Sequence, residues 1–378
     1  MNIKRLFKTV CLFAAAASLA ACGGKHDRSS EGGDTIKFAY AQNITAVRHD
    51  GYTEVTLANP WKRGGALHRY ILVARKDSGK VAALPGGTVV YTPVRRSVAF
   101  SAPLCQLLVW LGAGQSLSGA CDLGYVHVPY VRSMAAAGRI ADCGSGMAPM
   151  VEKVVAAHPQ ALFVSPFEGG GYGQLEQLGV PLVECADYME TSALGRAEWM
   201  RFYGMLVGKE RQADSLFAET ERNYKCLVAL AARSKSALSV ITERKVGGVW
   251  YCPGGKSSMG RLIADAKGRY VFAADAASGS LTLAPEAVLS KAANADVWLF
   301  VYSGGTPMTR KALLDEYDGY KVMKAFKQGD IFQCSSDGSA YFDEISFRPD
   351  FLLHDLVKIL HPDISVPGKL RYYHQSAE

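Results

Sequence analysis

Two short runs in this chain carry the residue types of phosphate or acyl chemistry. Gly254-Gly-Lys-Ser-Ser258 offers the lysine and hydroxyls of a phosphate-binding loop, but the glycine such a loop needs five positions before Gly255 is Trp250. Gly114-Gln-Ser-Leu-Ser-Gly119 has the serine and flanking glycines of a nucleophile elbow, with one residue too many between Ser116 and Gly119. Neither motif survives counting, and with no convergent base and nucleophile an enzyme is not expected. Metal chemistry fares no better. The nine cysteines contain no CxxC and no paired Cys/His spacing, and the eight histidines are dispersed, which argues against structural zinc or a redox motif. Cys105, Cys121, Cys143, Cys185, Cys226, Cys252 and Cys334 fall beyond residue 22. Those in apolar, strand-like runs read as buried free thiols, and Cys121 with Cys143 is the one candidate disulfide pair.

Cys22 stands in a different setting. Lys4, Arg5 and Lys8 form a basic start, Val10 to Ala17 an apolar middle, and Leu19-Ala-Ala-Cys22 a small-residue cleavage site with cysteine directly after it. This resembles the bacterial lipoprotein signal, in which the cysteine is acylated and becomes the mature amino terminus. The resemblance implies residues 1–21 as signal peptide, Cys22 as lipid anchor, export to the periplasm and retention at a membrane surface. Residues 22–36, rich in Gly, Ser and charge, read as a flexible tether. Loss of the leader lowers the formal charge from +7 to +4, and without a dense basic patch nucleic acid is not an expected partner.

The remaining chain must supply the scaffold. A length of 378 residues suggests two or three domains of about 150 residues. Glu210 to Arg233 runs without Gly or Pro, and Ala213, Leu216, Phe217, Thr220, Tyr224, Leu227 and Ala231 recur at spacings of three and four. That periodicity predicts one long helix with a single apolar face. On either side the chain alternates strand and helix, which requires crossover connections and largely parallel sheets. The first alternation runs over 88–208 and includes one helix from Leu194 to Val207, a helix from Tyr172 to Leu178 and a helix capped by Ser101. The second runs over 235–378, with residues 209–234 as the connecting helix. Ahead of both, 37–87 reads as a β-rich extension built on a hairpin, Tyr52 to Leu57 with Leu67 to Val73, closed by the loop Asn59 to Gly65. The expected fold is therefore α/β: two lobes with largely parallel central sheets, one rigid connecting helix, and an N-terminal β-hairpin extension.

With leader, lobes and connector in place, the chain resembles the substrate-binding lipoproteins of ABC importers, in the helical-backbone class that carries ferric siderophores, haem and cobalamin. The motifs are Ser97-Val-Ala-Phe-Ser-Ala-Pro103 leading into Leu107 to Gln115, Met150 to Pro159, Gln177 to Val183, Gly254 to Ile263, and Leu283 to Leu289 before Asp296. The family's usual Lys-Pro-Asp before the first-lobe strand is His158-Pro-Gln160 here, so the fit at that strand entry is imperfect. The resemblance implies a monomer working with an ABC permease and its ATPase at the inner membrane. It also implies that Glu152 and Glu286, one per lobe, are the exposed carboxylates that pair with permease arginines.

Ligands of open α/β sheets bind beyond the carboxyl ends of the strands. The segments expected there are rich in aromatics and glycine, and Phe167, Tyr172, Tyr188, Trp250, Tyr251 and Tyr302 are the candidates for an interlobe cleft. Flat aromatic faces suit an aryl-iron chelate, a porphyrin or a corrin. An iron chelate, ferric siderophore or haem, is the expected cargo, and cobalamin the alternative on the same fold. A bare metal ion or a non-transport surface role stands behind these. No side chain is singled out as a metal ligand.

Overall fold

A computed structural model describes residues 33–79 and 84–376. The expected signal peptide, Cys22 and most of the tether lie outside the described residues. Among the described residues no helix is long and apolar enough to cross a membrane.

The long helix is Glu210–Ala231, about 33 Å at 1.5 Å per residue. Its buried positions, Ala213, Phe217, Thr220, Tyr224 and Ala231, lie on the face that the periodicity marks. Ala213 and Phe217 belong to one apolar core, Tyr224 and Ala231 to another. One amphipathic surface thus serves two cores, which makes the helix a strut shared by both halves.

The first of these halves is built on a parallel sheet in the order Leu182–Glu184, Ala161–Val164, Ser97–Ala99, Leu117–Ala120, Ala141–Asp142. The other has the order Arg269–Tyr270, Ser239–Thr242, Val297–Tyr302, Ile331–Ser335, with His374–Gln375 added antiparallel at the edge. Strands such as Ala161–Val164 are buried at every position, as a sheet covered on both faces demands.

The N-terminal extension is a five-stranded sheet, Asp34–Ile36, Ile44–Arg48, Tyr52–Ala58, Ala66–Ala74 and Thr88–Thr92, in sequence order. Its centre is the expected hairpin, with Tyr52 opposite Val73 and Leu57 opposite His68. The loop is closed by the Asn59 side chain, which accepts the N–H groups of Trp61 and Lys62, an Asx turn. Val55, Leu57, Tyr70, Leu72 and Val90 share a core with Trp199, Phe202 and Leu206, so the sheet packs on the first lobe. Two buried carboxylates hold the segment between its first two strands. Glu198 accepts the N–H groups of Ala39, Tyr40 and Ala41, and Glu190 those of Gln42 and Asn43 plus the Trp199 indole N–H. Backbone donors that no strand partner takes are satisfied in this way.

Several local expectations need correction. The helix expected over Leu194 to Val207 is two, Ala193–Glu198 and Met200–Val207, meeting at Trp199. Tyr172 to Leu178 is a 3-10 turn, Gly173–Leu178. Ser101 occupies the N-cap of Ala102–Trp110 in extended conformation, but its side chain makes no capping bond. Cys121 and Cys143 are free buried thiols, the Cys121 Sγ facing the Cys143 carbonyl oxygen at 3.8 Å instead of the opposing sulfur. Finally, residues 249–253, which hold the expected cleft aromatics Trp250 and Tyr251, form the central strand of a three-stranded antiparallel sheet with Lys245–Val246 and Ser280–Leu283.

Candidate ligand pocket

At the carboxyl ends of the first-lobe strands lies a cavity of about 420 Å³. Each wall residue follows from where a strand stops. Phe100 follows Ser97–Ala99, Asp122 follows Leu117–Ala120, and Val164 and Ser165 end Ala161–Val164. The hairpin of Gly144–Ser145 with Ala148–Pro149 adds Gly146, Met147 and Pro149, and the loop after Ser165 adds Phe167, Gly171, Tyr172 and Gly173. Asp122 ties the hairpin down, since its Oδ2 accepts the Gly146 N–H at 3.0 Å. A Cβ at Gly146 would sit 2.8 Å from that same oxygen, so a side chain there would displace the Asp122 carboxylate from this bond. The wall is largely apolar and its rim exposes large side chains: Phe167 is 47% and Met147 79% exposed. Two other hollows of about 410 Å³ lie on the N-terminal sheet, around Arg48, His49 and Tyr52, and beside the long helix, around Cys226, Phe351 and Arg371. Neither is lined from the carboxyl ends of the parallel strands of the two lobes, although Ala74 and Thr92, the ends of a parallel pair in the N-terminal sheet, line the first.

Of the six aromatic candidates, the structure brings Phe167 and Tyr172 together in this cavity. Tyr188 is half exposed and reaches it indirectly, its hydroxyl donating to the Pro166 carbonyl. The Tyr172 hydroxyl donates at 3.1 Å to Glu184 Oε1, a carboxylate outside the cavity lining. Burial and the Glu184 carboxylate hold that phenol well above the usual tyrosine range, so Tyr172 stays neutral and offers a ring face, not a phenolate.

The second lobe departs from expectation. Trp250 is fully buried, its ring against Trp298 and Tyr320 and its indole N–H donated to the Thr242 carbonyl at 3.2 Å. Strand alternation is the reason: with Trp250 and Cys252 turned inward, Tyr251 between them is turned out and exposed. Tyr302 also falls in the core, its ring edge-on to Phe300 at the end of a largely buried strand. Trp250 and Tyr302 are therefore core residues and not cleft walls, while Tyr251 remains on the surface outside the cavity lining.

Sequence reasoning missed Phe100, Asp122, Met147 and Pro149. Phe100 alone had a signal, its place directly after a strand. It also missed how the second lobe reaches the rim. The loop that begins at Asp122 continues to His127, whose backbone N–H donates to Asp343 Oδ1 at 3.2 Å and whose Nδ1 lies 3.5 Å from Asp343 Oδ2. Asp343 is buried, and desolvation raises its carboxyl above the usual range. One loop thus carries both a pocket residue and an interlobe contact. Phe342, next to Asp343, is half exposed on the turn that packs on helix Ala102–Trp110.

Glu152 and Glu286 occupy equivalent places. Each is the second residue of its helix, Val151–Ala156 and Pro285–Ala292, and each is exposed. The Tyr317 hydroxyl donates to Glu286 at 3.5 Å.

Comparison with known proteins places this geometry. The family model described as periplasmic binding protein matches residues 104–337. An uncharacterized lipoprotein of Methanocaldococcus jannaschii is 29% identical, covering 91% of this chain and 86% of that protein. Among solved structures, a periplasmic heme binding protein from Pseudomonas aeruginosa aligns with a TM-score of 0.61 and 17% identity, over 75% of this chain and 99% of the other. The periplasmic heme-binding protein RhuT from Roseiflexus sp. RS-1 aligns with a TM-score of 0.54 and 20% identity, over 71% and 98%.

Proposed function

Because the chain belongs to the periplasmic binding protein family, we propose that it is the substrate-binding component of an ABC importer that captures an iron chelate, haem or a ferric siderophore, against the first-lobe pocket. The observation that carries this reading is the cavity of about 420 Å³ with Phe100, Met147, Phe167 and Tyr172 in its wall. Its size lies within the roughly 300–1,000 Å³ of small-molecule sites. Rings held by their hydroxyls or by packing present flat apolar faces at little entropic cost, which suits a planar aryl or porphyrin ligand. A bare ion fits less well. Among the described residues no group of three His, Cys, Asp or Glu side chains is gathered to hold one.

Capture then rests on stacking against the first lobe. Because Thr88–Thr92 of the expected 88–208 pairs into the N-terminal sheet, the two lobes are residues 93–208 and 235–378, with 209–234 as their connector. The strut shared by both cores favours small changes in lobe angle, since bending it would break helix hydrogen bonds. Export and anchoring through Cys22 fit the Leu19-Ala-Ala-Cys22 site and the lipoprotein relative. Glu152 and Glu286 serve as docking carboxylates: charge pairs at such a rim set orientation and encounter rate more than affinity, as a carrier that must also release requires.

The test is substitution in the pocket, read as haemin and ferric-siderophore affinity. Phe167→Ala and Tyr172→Ala should each weaken binding about tenfold or more, the loss of one stacked ring, while Tyr251→Ala should change it little. Unchanged affinity in both pocket variants would place the ligand elsewhere.

A further inference from the structure

The N-terminal sheet lies outside the matched residues 104–337, yet it reaches the back of the pocket wall. Leu182–Glu184 is the edge strand of the first-lobe sheet, and Tyr70 of the N-terminal sheet takes its open side. The buried Tyr70 hydroxyl donates to the Leu182 carbonyl at 3.1 Å and accepts the Glu184 N–H at 2.8 Å, closing an edge that would otherwise offer unpaired backbone groups.

His68 stacks on Tyr70, ring centroids 4.4 Å apart. Its Nε2 lies 2.7 Å from Thr88 Oγ1 and its Nδ1 3.4 Å from Glu184 Oε2. That oxygen is buried and makes no hydrogen bond among the described residues. His68 is the one basic side chain within 4 Å of the carboxylate among them. The other oxygen, Oε1, accepts the Tyr172 hydroxyl. A buried carboxylate is costly unless paired, so the imidazole on one side and the phenol on the other share its stabilisation.

The consequence falls on the loop that carries the pocket rings. Residues 166–173, Pro-Phe-Glu-Gly-Gly-Gly-Tyr-Gly, include Gly169 and Gly173 at positive φ, and such backbone has little stiffness of its own. Side-chain tethers hold its two ends: Tyr188 to the Pro166 carbonyl at one, and at the other the Tyr172 hydroxyl to Glu184, beside the Glu176 carboxylate that accepts the Tyr172 backbone N–H at 2.7 Å.

We propose that His68 and Glu184 are positioning residues of the ligand site. His68, through the Glu184 carboxylate, fixes Tyr172 and with it the loop bearing Phe167, so the N-terminal sheet sets the affinity of a pocket it does not line. The inference rests on this pocket being the ligand site.

Amide hydrogen exchange of residues 166–178 in the mature chain with Cys22→Ala tests the chain of contacts without any ligand. His68→Phe keeps the stacking and removes the ring nitrogens; Tyr172→Phe cuts the same chain from its other end. Each should speed exchange in that loop about fivefold or more and leave strand Ala161–Val164 unchanged. The double variant should exchange no faster than the more affected single one, because both break one linkage. Haemin affinity should fall about three- to tenfold in each single variant and no further in the double. Unchanged exchange in either variant, or effects that simply add, overturns the proposal. If His68→Phe does not fold, Glu184→Leu, which removes the acceptor of the Tyr172 hydroxyl, takes its place with the same criteria. Tyr172→Ala separates the two claims: unchanged haemin affinity there, with the exchange effects present, overturns the ligand-site reading and the link to affinity while the positioning contacts stand.

Discussion

Glu198→Ala offers a sharp test of how the N-terminal chain is held. The Glu198 side chain is 1% exposed and accepts three backbone N–H groups, from Ala39 at 2.8 Å, Tyr40 at 2.7 Å and Ala41 at 2.9 Å. Truncation strands all three donors, and a buried donor left unsatisfied costs about 1–3 kcal/mol. The three are not equal. Ala41 is buried and bears that cost in full, Tyr40 is half-buried, and Ala39 is exposed and recovers water. Arg201, 3.6 Å from Glu198 Oε1, keeps Asp214 and the Lys37 carbonyl and adds little. The sum is a loss of about 2–4 kcal/mol. Glu198→Gln should cost about half as much, since its remaining oxygen can serve Tyr40 and Ala41 while its amide faces the exposed Ala39. Urea unfolding followed by circular dichroism measures this, as a lowered midpoint at constant slope. Exchange at residues 39–41 should rise in parallel. An alanine variant destabilised by less than about 1 kcal/mol would refute the clamp.

Other predictions follow from named groups. Burial lifts the Glu243 carboxyl from its usual 4.5 to about 7, so the folded state holds that proton more tightly than the unfolded one. Its contribution to stability is fully present below about pH 4.5 and is lost as pH rises through about 7; Glu243→Gln should flatten that part of a melting-temperature profile, and an unchanged slope counts against it. Cys226 is exposed, whereas Cys105, Cys121, Cys143, Cys185, Cys252 and Cys334 are buried with thiols pushed up by desolvation. Iodoacetamide on the native chain should therefore label Cys226 first and the six others only on unfolding, as peptide mass spectrometry reads out. Glu152→Ala with Glu286→Ala should leave ligand affinity intact and impair uptake in a reconstituted importer, and a fall in affinity instead would show that these carboxylates have another role.

What could be read from the sequence was local. Ala213, Phe217, Thr220 and Tyr224 mark the long helix because one period repeats without a break, and the Asn59 to Gly65 loop marks the hairpin because its turn chemistry is contiguous. Trp199 gave no warning that it divides two helices, since it is neither Gly nor Pro and keeps helical backbone angles. Trp250 was misplaced because its strand partner is Leu283, thirty-three residues on, and without that pairing an aromatic-glycine run resembles a loop. The pocket divides in the same way. Phe167 and Tyr172 come from a glycine-rich segment recognisable in one dimension. Met147 comes from a hairpin of two-residue strands, and the His68 to Glu184 contact spans 116 positions in the chain. Contacts of that kind are set by packing, which no period reports.

The central claim is capture of a metal chelate, and titration tests it most directly. The mature chain with Cys22→Ala would be titrated with haemin, a panel of ferric siderophores and cyanocobalamin, followed by tryptophan quenching and visible absorption. Saturable binding of haemin or one ferric siderophore, weakened by Phe167→Ala and Tyr172→Ala, is the predicted result. Saturable binding of cobalamin alone would keep the fold's role and change the cargo; a folded protein that binds none of them would contradict the account.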